Sequence, residues 1–476
     1  MWPVPSRVSH VGPPRPLCYT ASADLHSMPF PAGFAAAVGG GTRSFCVKGF
    51  AVAEAADERV ARRNMWLIGG DYVGFALGMA FLGPTTLLAT LVHLLGGSAV
   101  LVGSLSTIQS GGWLLPQILA GRLVADRPVV MRYILIPAYA GRMALLLAVP
   151  AVALLARRHP GQALAALLFC YVCFVLGDSL SSVPWFDLLG KVVSLERRGR
   201  FFGLTQVAGG LLAVGAGLSA KAILNRPGPP LSGHLLLMVL ATLCFLAGTT
   251  ATALVREPRG EVQHTRAVTW GAYLPRLMAI VRTDRRFVWL VAVRWFSGLA
   301  DVATAFYTLF ALQRLRAPES MVGLFVSAMV GGGLLSGVVL GHVADRSGPA
   351  RVIGAMMGLR SLAIALALLA PVAGGAGLAA MLLAFTLTGM ANGCYMVGLS
   401  NYCLAIAPPA ERATYVALGN TLGGLVALAP LAGGLLVEAY SFEALFVLAL
   451  VCALVGSALA LRQPRAMAMD ALGHGT

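Results

Sequence analysis

Twelve times along this chain a stretch of some twenty apolar residues recurs with almost no charge inside it, first at Trp66–Thr90 and last at Ala444–Leu461. A helix needs roughly 20 such residues to cross a hydrocarbon core of about 30 Å. Charged residues make up 11% of the chain and apolar ones 58%, where a soluble domain runs near 25% charged. The expectation is an all-α integral membrane protein with twelve transmembrane helices, short loops and no large soluble domain. Its largest partner is then the lipid bilayer.

The net charge is +16, which in a soluble protein would suggest nucleic acid. Here the basic residues lie between the apolar runs, where they set topology, so no nucleic-acid partner is expected. Connections on one side hold Arg122, Arg127, Arg132, Lys191, Arg197, Arg198, Arg200, Arg346, Arg351 and Arg412, with seven further arginines in the central segment. The other side holds Arg157, Arg158, Arg226, Arg314 and Arg316. Seventeen against five places the basic side, and with it both termini, in the cytoplasm of a cell-membrane protein. Cys170 and Cys173 form a CxxC inside an apolar run with no histidine nearby, so they read as small buried hydrophobes, and neither a metal nor a cofactor is expected.

The longest segment between runs, residues 256–286, divides twelve into six and six. The domains expected are a disordered tail over 1–63, a first six-helix bundle over 64–255, a cytoplasmic linker over 256–286, a second bundle over 287–462 and a tail over 463–476. An internal repeat supports the division. At an offset of 214, Asp178 falls on Asn392, Asp187 on Asn401, Arg198 on Arg412 and Gln206 on Asn420. Polar residues inside membrane helices are costly, so their recurrence in one register carries more weight than matched leucines. Asp126-Arg127 and Asp345-Arg346 repeat at an offset of 219. The two bundles are therefore expected to be pseudo-symmetric.

The loop Gly341-His-Val-Ala-Asp345-Arg346-Ser-Gly348-Pro-Ala-Arg351 resembles the signature loop of the major facilitator superfamily. It lies between the eighth and ninth runs, as in that family. The first-half copy, around Asp126, Arg127 and Arg132, is degenerate: Val129 stands in place of the second glycine. The resemblance covers roughly residues 64–462. It implies a bacterial-type transporter working by alternating access, with a solute site between the halves and these loops as a latch. The arginine of the fourth helix and the glycine-proline pair of the fifth, common in the family's drug–proton exchangers, are missing here.

Ionisable groups at mid-membrane depth are the best candidates for a solute or proton site, because each is expensive without a cavity or partner. Arg142, Asp178, Asp301 and Arg360 are central in their runs, and Asn392 joins them as the mate of Asp178. Asp178, Ser181 and Ser182 share one helical face, while Asp187 points to the opposite side. Arg294 and Asp301 are two turns apart on one face and either bracket an anion or pair with neighbours. An Arg142–Asp178 ion pair holding two helices together is the structural alternative. Asp71 and Arg294 lie nearer the cytoplasmic end, where gating is as good a reading as binding. Arg198, Arg412, Asn401, Gln206 and Asn420 complete the polar set. Gly70, Gly74 and Gly78 make a small-residue face for close packing, and Pro84, Pro137, Pro184 and Pro430 are candidate breaks.

No Walker-type loop, HExxH or GxSxG is present, so neither a primary pump nor an intramembrane enzyme is expected. Secondary transport of a small solute by a monomer, coupled to protons through Asp178 or Asp301, is the leading expectation. A transporter-like membrane sensor without net transport is the alternative.

Overall fold

The computed structural model describes residues 42–114, 116, 120, 127–193, 195–258, 270–408 and 412–462, with no strand among them. The chain forms two compact units, Met1–Arg59 and Val60–Thr476. Of the first, the described part is helical from Thr42. The expected tail lies outside the described residues as far as residue 41, and so does the C-terminal tail beyond Arg462.

Ten described helices are long and apolar enough to cross a membrane, and Met321–Gly337 is a shorter apolar one. The first bundle runs α1 (Thr42–Leu82), α2 (Leu87–Leu94), α3 (Ala99–Leu114), α4 (Met131–Leu155), α5 (Pro160–Val192), α6 (Leu195–Leu224) and α7 (Pro230–Ala253). After α8 (Trp270–Thr283) come α9 (Arg285–Asp301), α10 (Thr304–Arg314), α11 (Met321–Ser347), α12 (Pro349–Leu369), α13 (Gly377–Cys394), α14 (Asn401–Ile406), α15 (Arg412–Gly424), α16 (Ala429–Ala439) and α17 (Phe442–Leu461). Helix α3 fills the place of the second expected span, and twelve spans follow in the order read from the apolar runs.

Several spans are broken. Gly83, at φ +46°, ends α1 beside Pro84, and α2 carries the first span on to Leu94, beyond the expected Thr90. The seventh span breaks between α9 and α10, at Val302-Ala303. Val302 lies 219 residues after Gly83, the offset that relates the two signature loops, so the halves share this interruption. Broken spans are tolerated where the freed backbone is buried in protein or lines a cavity. The tenth span passes through a π-helical turn, Tyr395–Ser400, and the eleventh through a 3₁₀ turn, Leu425–Leu428, with Pro430 in the first turn of α16. Pro137 and Pro184 sit inside continuous helices.

With lipid as solvent, helix association rests on close packing of small residues. Gly74 and Gly78 press α1 against α7: a Cβ at Gly74 would stand 3.0 Å from the Cys244 carbonyl oxygen, and one at Gly78 would strike the Phe245 ring at 2.5 Å. The segment after α7 is tied to the first bundle. Glu257 accepts the backbone N–H groups of Val130 and Met131 at 2.8 and 3.0 Å, capping the start of α4, and takes the Lys191 ammonium at 3.0 Å. The segment expected as a linker, 256–286, carries helix α8.

Among the described residues, hydrogen bonds joining the two bundles include Val100 N–H to Glu438 at 3.0 Å, with Ser98 and Ala99 bonded to the same carboxylate, the Thr308 hydroxyl to the Thr85 carbonyl at 3.0 Å, and the Ser327 hydroxyl to the Val214 carbonyl at 2.9 Å. By span order each lies toward the end of the bundle away from Val60 and Arg462. Leu204 on α6 and Val339 on α11, toward the other end, are 61% and 51% exposed.

Candidate functional site

Helices α4 and α5 meet through two glycines. A Cβ at Gly177 would strike the Pro137 carbonyl oxygen and come within 3.1 Å of the Gly141 Cα. The residue after each glycine carries the charge, Arg142 on α4 and Asp178 on α5. The contact sets an Arg142 guanidinium nitrogen 3.9 Å from the Asp178 carboxylate. The interhelical ion pair is thus present, but as a long one, at the wall of a cavity of about 450 Å³.

The cavity lies inside the first bundle. Asp71, Arg142, Tyr171 and Asp178 are in its wall, Ser181, Ser182 and Trp185 continue it along α5, and Thr249 and Thr252 come from α7. Ser110, Trp113 and Phe186 form an exposed rim. Asp71, whose depth along its run makes gating or an interface role as good a reading as binding, shares this wall with Arg142 and Asp178. It is 8% exposed and accepts the Trp185 indole N–H at 2.6 Å. Gly248 makes room for it, since a Cβ there would stand 2.8 Å from its Oδ1. Arg142 is 5% exposed and, among the described residues, its Nε has no hydrogen-bond partner; the buried Tyr171 hydroxyl has none there either. Asp187 stays out of the cavity, as its helical phase requires, and pairs with Lys191 one turn on, at 2.8 Å.

The second bundle repeats the arrangement with different chemistry. Arg360 on α12 donates to Asn392 on α13 at 2.9 Å and pairs closely with Asp301 at the end of α9. The Thr304 hydroxyl donates to Asp301 at 3.0 Å across the break. Asp301 thus supplies the negative charge that Asn392 lacks. Arg294 does not join Asp301. It donates to Asn420 at 3.1 Å and lies over the Tyr395 ring, 5.2 Å from its centroid. The pair does not bracket an anion; each member has its own partner.

Gln206 and Asn401 are exposed on α6 and at the start of α14. In the second-half loop Gly341, Asp345 and Arg346 belong to α11, Gly348 turns the chain at φ +79° into α12, and Arg346 and Arg351 are exposed. Arg127 is exposed, whereas Asp126 lies outside the described residues. Arg198 and Arg412 fall in the first turns of α6 and α15. The Asp71–Trp185 contact and the anchoring by Glu257 carry no signal in the sequence, because both join residues more than sixty apart.

Residues 290–469 match the Major Facilitator Superfamily. No curated protein matches the chain in sequence. Among solved structures it is similar to the nucleoside transporter NupG in a point-mutant form, at 14% identity and a TM-score of 0.64, over 85% of this chain and 100% of that one. It is likewise similar to a POT family transporter in complex with 5-aminolevulinic acid, at 12% identity and 0.63 over 85% and 97%. A bacterial homologue of the iron transporter ferroportin, in an inward-facing state, gives 16% and 0.58 over 85% and 98%. These likenesses show the shared fold over nearly the whole of each relative. The second half of the chain, with the signature loop between α11 and α12 inside it, matches the Major Facilitator Superfamily, and the chain is a multi-pass membrane protein with the fold of these transporters.

Proposed function

We propose that this protein moves a small solute across the cell membrane by alternating access, as a monomer with both termini in the cytoplasm, and that a proton on Asp178 drives the cycle. The observation that carries this reading is the asymmetry of the two bundles around their matched arginines. Arg360 is closed in by Asp301 and Asn392, whereas Arg142 sits at 3.9 Å from Asp178 in the wall of a cavity. A carboxylate that only half-engages its arginine, with space beside it, can exchange a proton as its surroundings change. The hydrogen bonds between bundles gather toward the end remote from the termini, which supports an inward-facing state. Asp345, Arg346 and Arg351 then serve the rocking of the halves, together with Arg127 and Asp126, and Arg198 and Arg412 lie on the same cytoplasmic face.

The test is flux in proteoliposomes carrying a pH-sensitive dye, challenged with sugars, nucleosides, amines and carboxylates in turn. At least one class is expected to change the internal pH with wild type and not with Asp178→Asn. If no solute accumulates with wild type, the transport reading fails; if flux proceeds with no pH change, proton coupling fails.

A further inference from the structure

We propose that the cavity of the first bundle takes an organic monocation with an aromatic or otherwise flat apolar body; this rests on the transport reading above and names the solute class of the same site. The argument begins with charge. Asp71 and Asp178 line the cavity together with one cation, Arg142. Once Asp178 has released the proton assigned to it above, two carboxylates against one guanidinium leave one negative charge uncompensated in a site walled by low-dielectric protein. A single positive charge on the solute completes the balance, whereas an anion would set three negative charges against one positive.

Shape and surface give the rest. Tyr72, Phe75, Trp113, Phe174, Trp185 and Phe186 all line the space. Aromatic faces attract a desolvated cation and stack on a flat apolar body. A sugar or other polyol would need many hydrogen-bonding groups, but the wall hydroxyls of Ser181 and Ser182 already donate to backbone carbonyls, at 2.9 and 2.8 Å. The volume, about 450 Å³, falls within the range of pockets that bury drug-sized molecules. Polar groups in the wall also point to an occupant. Among the described residues, Arg142 Nε, the Tyr171 hydroxyl and the Thr252 hydroxyl are buried in this wall and have no hydrogen-bond partner, and Arg360 Nε in the second bundle has none either. Buried polar groups left unpaired are costly, and in the first bundle the adjoining cavity leaves room for a bound solute whose acceptor atom satisfies them.

Equilibrium dialysis of the purified protein in detergent against tetraphenylphosphonium and tetraphenylborate tests this, since the two ions share size and shape and differ in sign. Saturable binding of the phosphonium at least tenfold tighter than the borate is expected. Asp178→Asn, and separately Asp71→Asn, should shrink that ratio at least tenfold by weakening the phosphonium and strengthening the borate, a gain that a misfolded variant cannot show. Equal affinities in wild type, a preference for borate, or no saturable binding of the phosphonium overturns the proposal, and so does a ratio unchanged in both variants. Phosphonium binding without flux of any solute would remove the transport reading alone, and flux without phosphonium binding would remove this inference alone.

Discussion

Arg142 and Arg360 hold equivalent places in the two halves, and each reaches the same register position of the following span, Asp178 in the first half and Asn392 in the second. The repeat conserves the geometry and varies the charge. In the second half a third residue, Asp301, closes the cluster from the break in the seventh span. In the first half Arg142 and Asp178 stand instead in the wall of a cavity that Asp71 also lines.

Arg360→Ala is therefore expected to destabilise the protein, leaving Asn392 without this donor and Asp301 with only the Thr304 hydroxyl. Removing one partner of a fully buried pair costs about 3–5 kcal/mol. The Asp301 side chain is 41% exposed, so about 2 kcal/mol is expected here. Thermal unfolding in detergent should show a midpoint lowered by several degrees, and Arg360→Lys should recover part of it. An unchanged midpoint would mean the cluster does not hold α9, α12 and α13 together.

Gly177→Ala should separate α4 from α5, because the added methyl meets the Pro137 carbonyl and the Gly141 backbone. Overpacking of this kind costs about 1–3 kcal/mol. The shift also carries Asp178 away from Arg142, so solute binding should fall further than stability. Binding and unfolding measured on one preparation separate the effects; equal binding in variant and wild type would show that the glycine contact does not set the site.

Glu438→Ala removes the acceptor of the Val100 N–H, of Ala99 and of the Ser98 hydroxyl at the end of the bundles remote from Val60 and Arg462. Exposed hydrogen bonds to one such acceptor are together worth about 1 kcal/mol, so a roughly fivefold shift in the balance of open and closed states is expected. Spin labels at Leu204 and Val339, in a background without other reactive cysteines, should report more of a shorter distance in the variant. An unaltered distance distribution would exclude this contact from the closure.

Orientation has its own test. Reporter domains fused after Pro258 and after Pro160 should report opposite sides of the membrane, cytoplasmic for the first. Matching reports would overturn the order of the spans.

What depends on runs and registers is legible in the sequence. The third expected span, Met131–Leu155, agrees with α4 at both ends, because hydropathy marks where a helix enters and leaves lipid. The offset of 214 pairs Asp178 with Asn392, and in the folded protein both answer an arginine. What stays hidden depends on rotation and on distant partners. Hydropathy says nothing of which way Asp71 faces, so its place beside Arg142 cannot be read from its run. The break at Gly83-Pro84 has a visible signal, whereas its mate at Val302-Ala303 contains neither glycine nor proline and follows from tertiary packing. Helix α8 is masked by the arginines around it, which suggest only a charged linker, although Leu277, Ile280 and Val281 follow a helical period.

The account turns on Asp178, and the most direct measurement is uptake or efflux in proteoliposomes under an imposed pH gradient, using solutes that bind the purified protein. Wild type should respond to the gradient, Asp178→Asn should lose that response while still binding at least one solute, and Asp301→Asn should retain it, since Asp301 is committed to Arg360 and Thr304. Wild-type flux indifferent to the gradient would contradict proton coupling outright. Loss of the response in Asp301→Asn alone would place the proton in the second bundle and contradict the role given to Asp178.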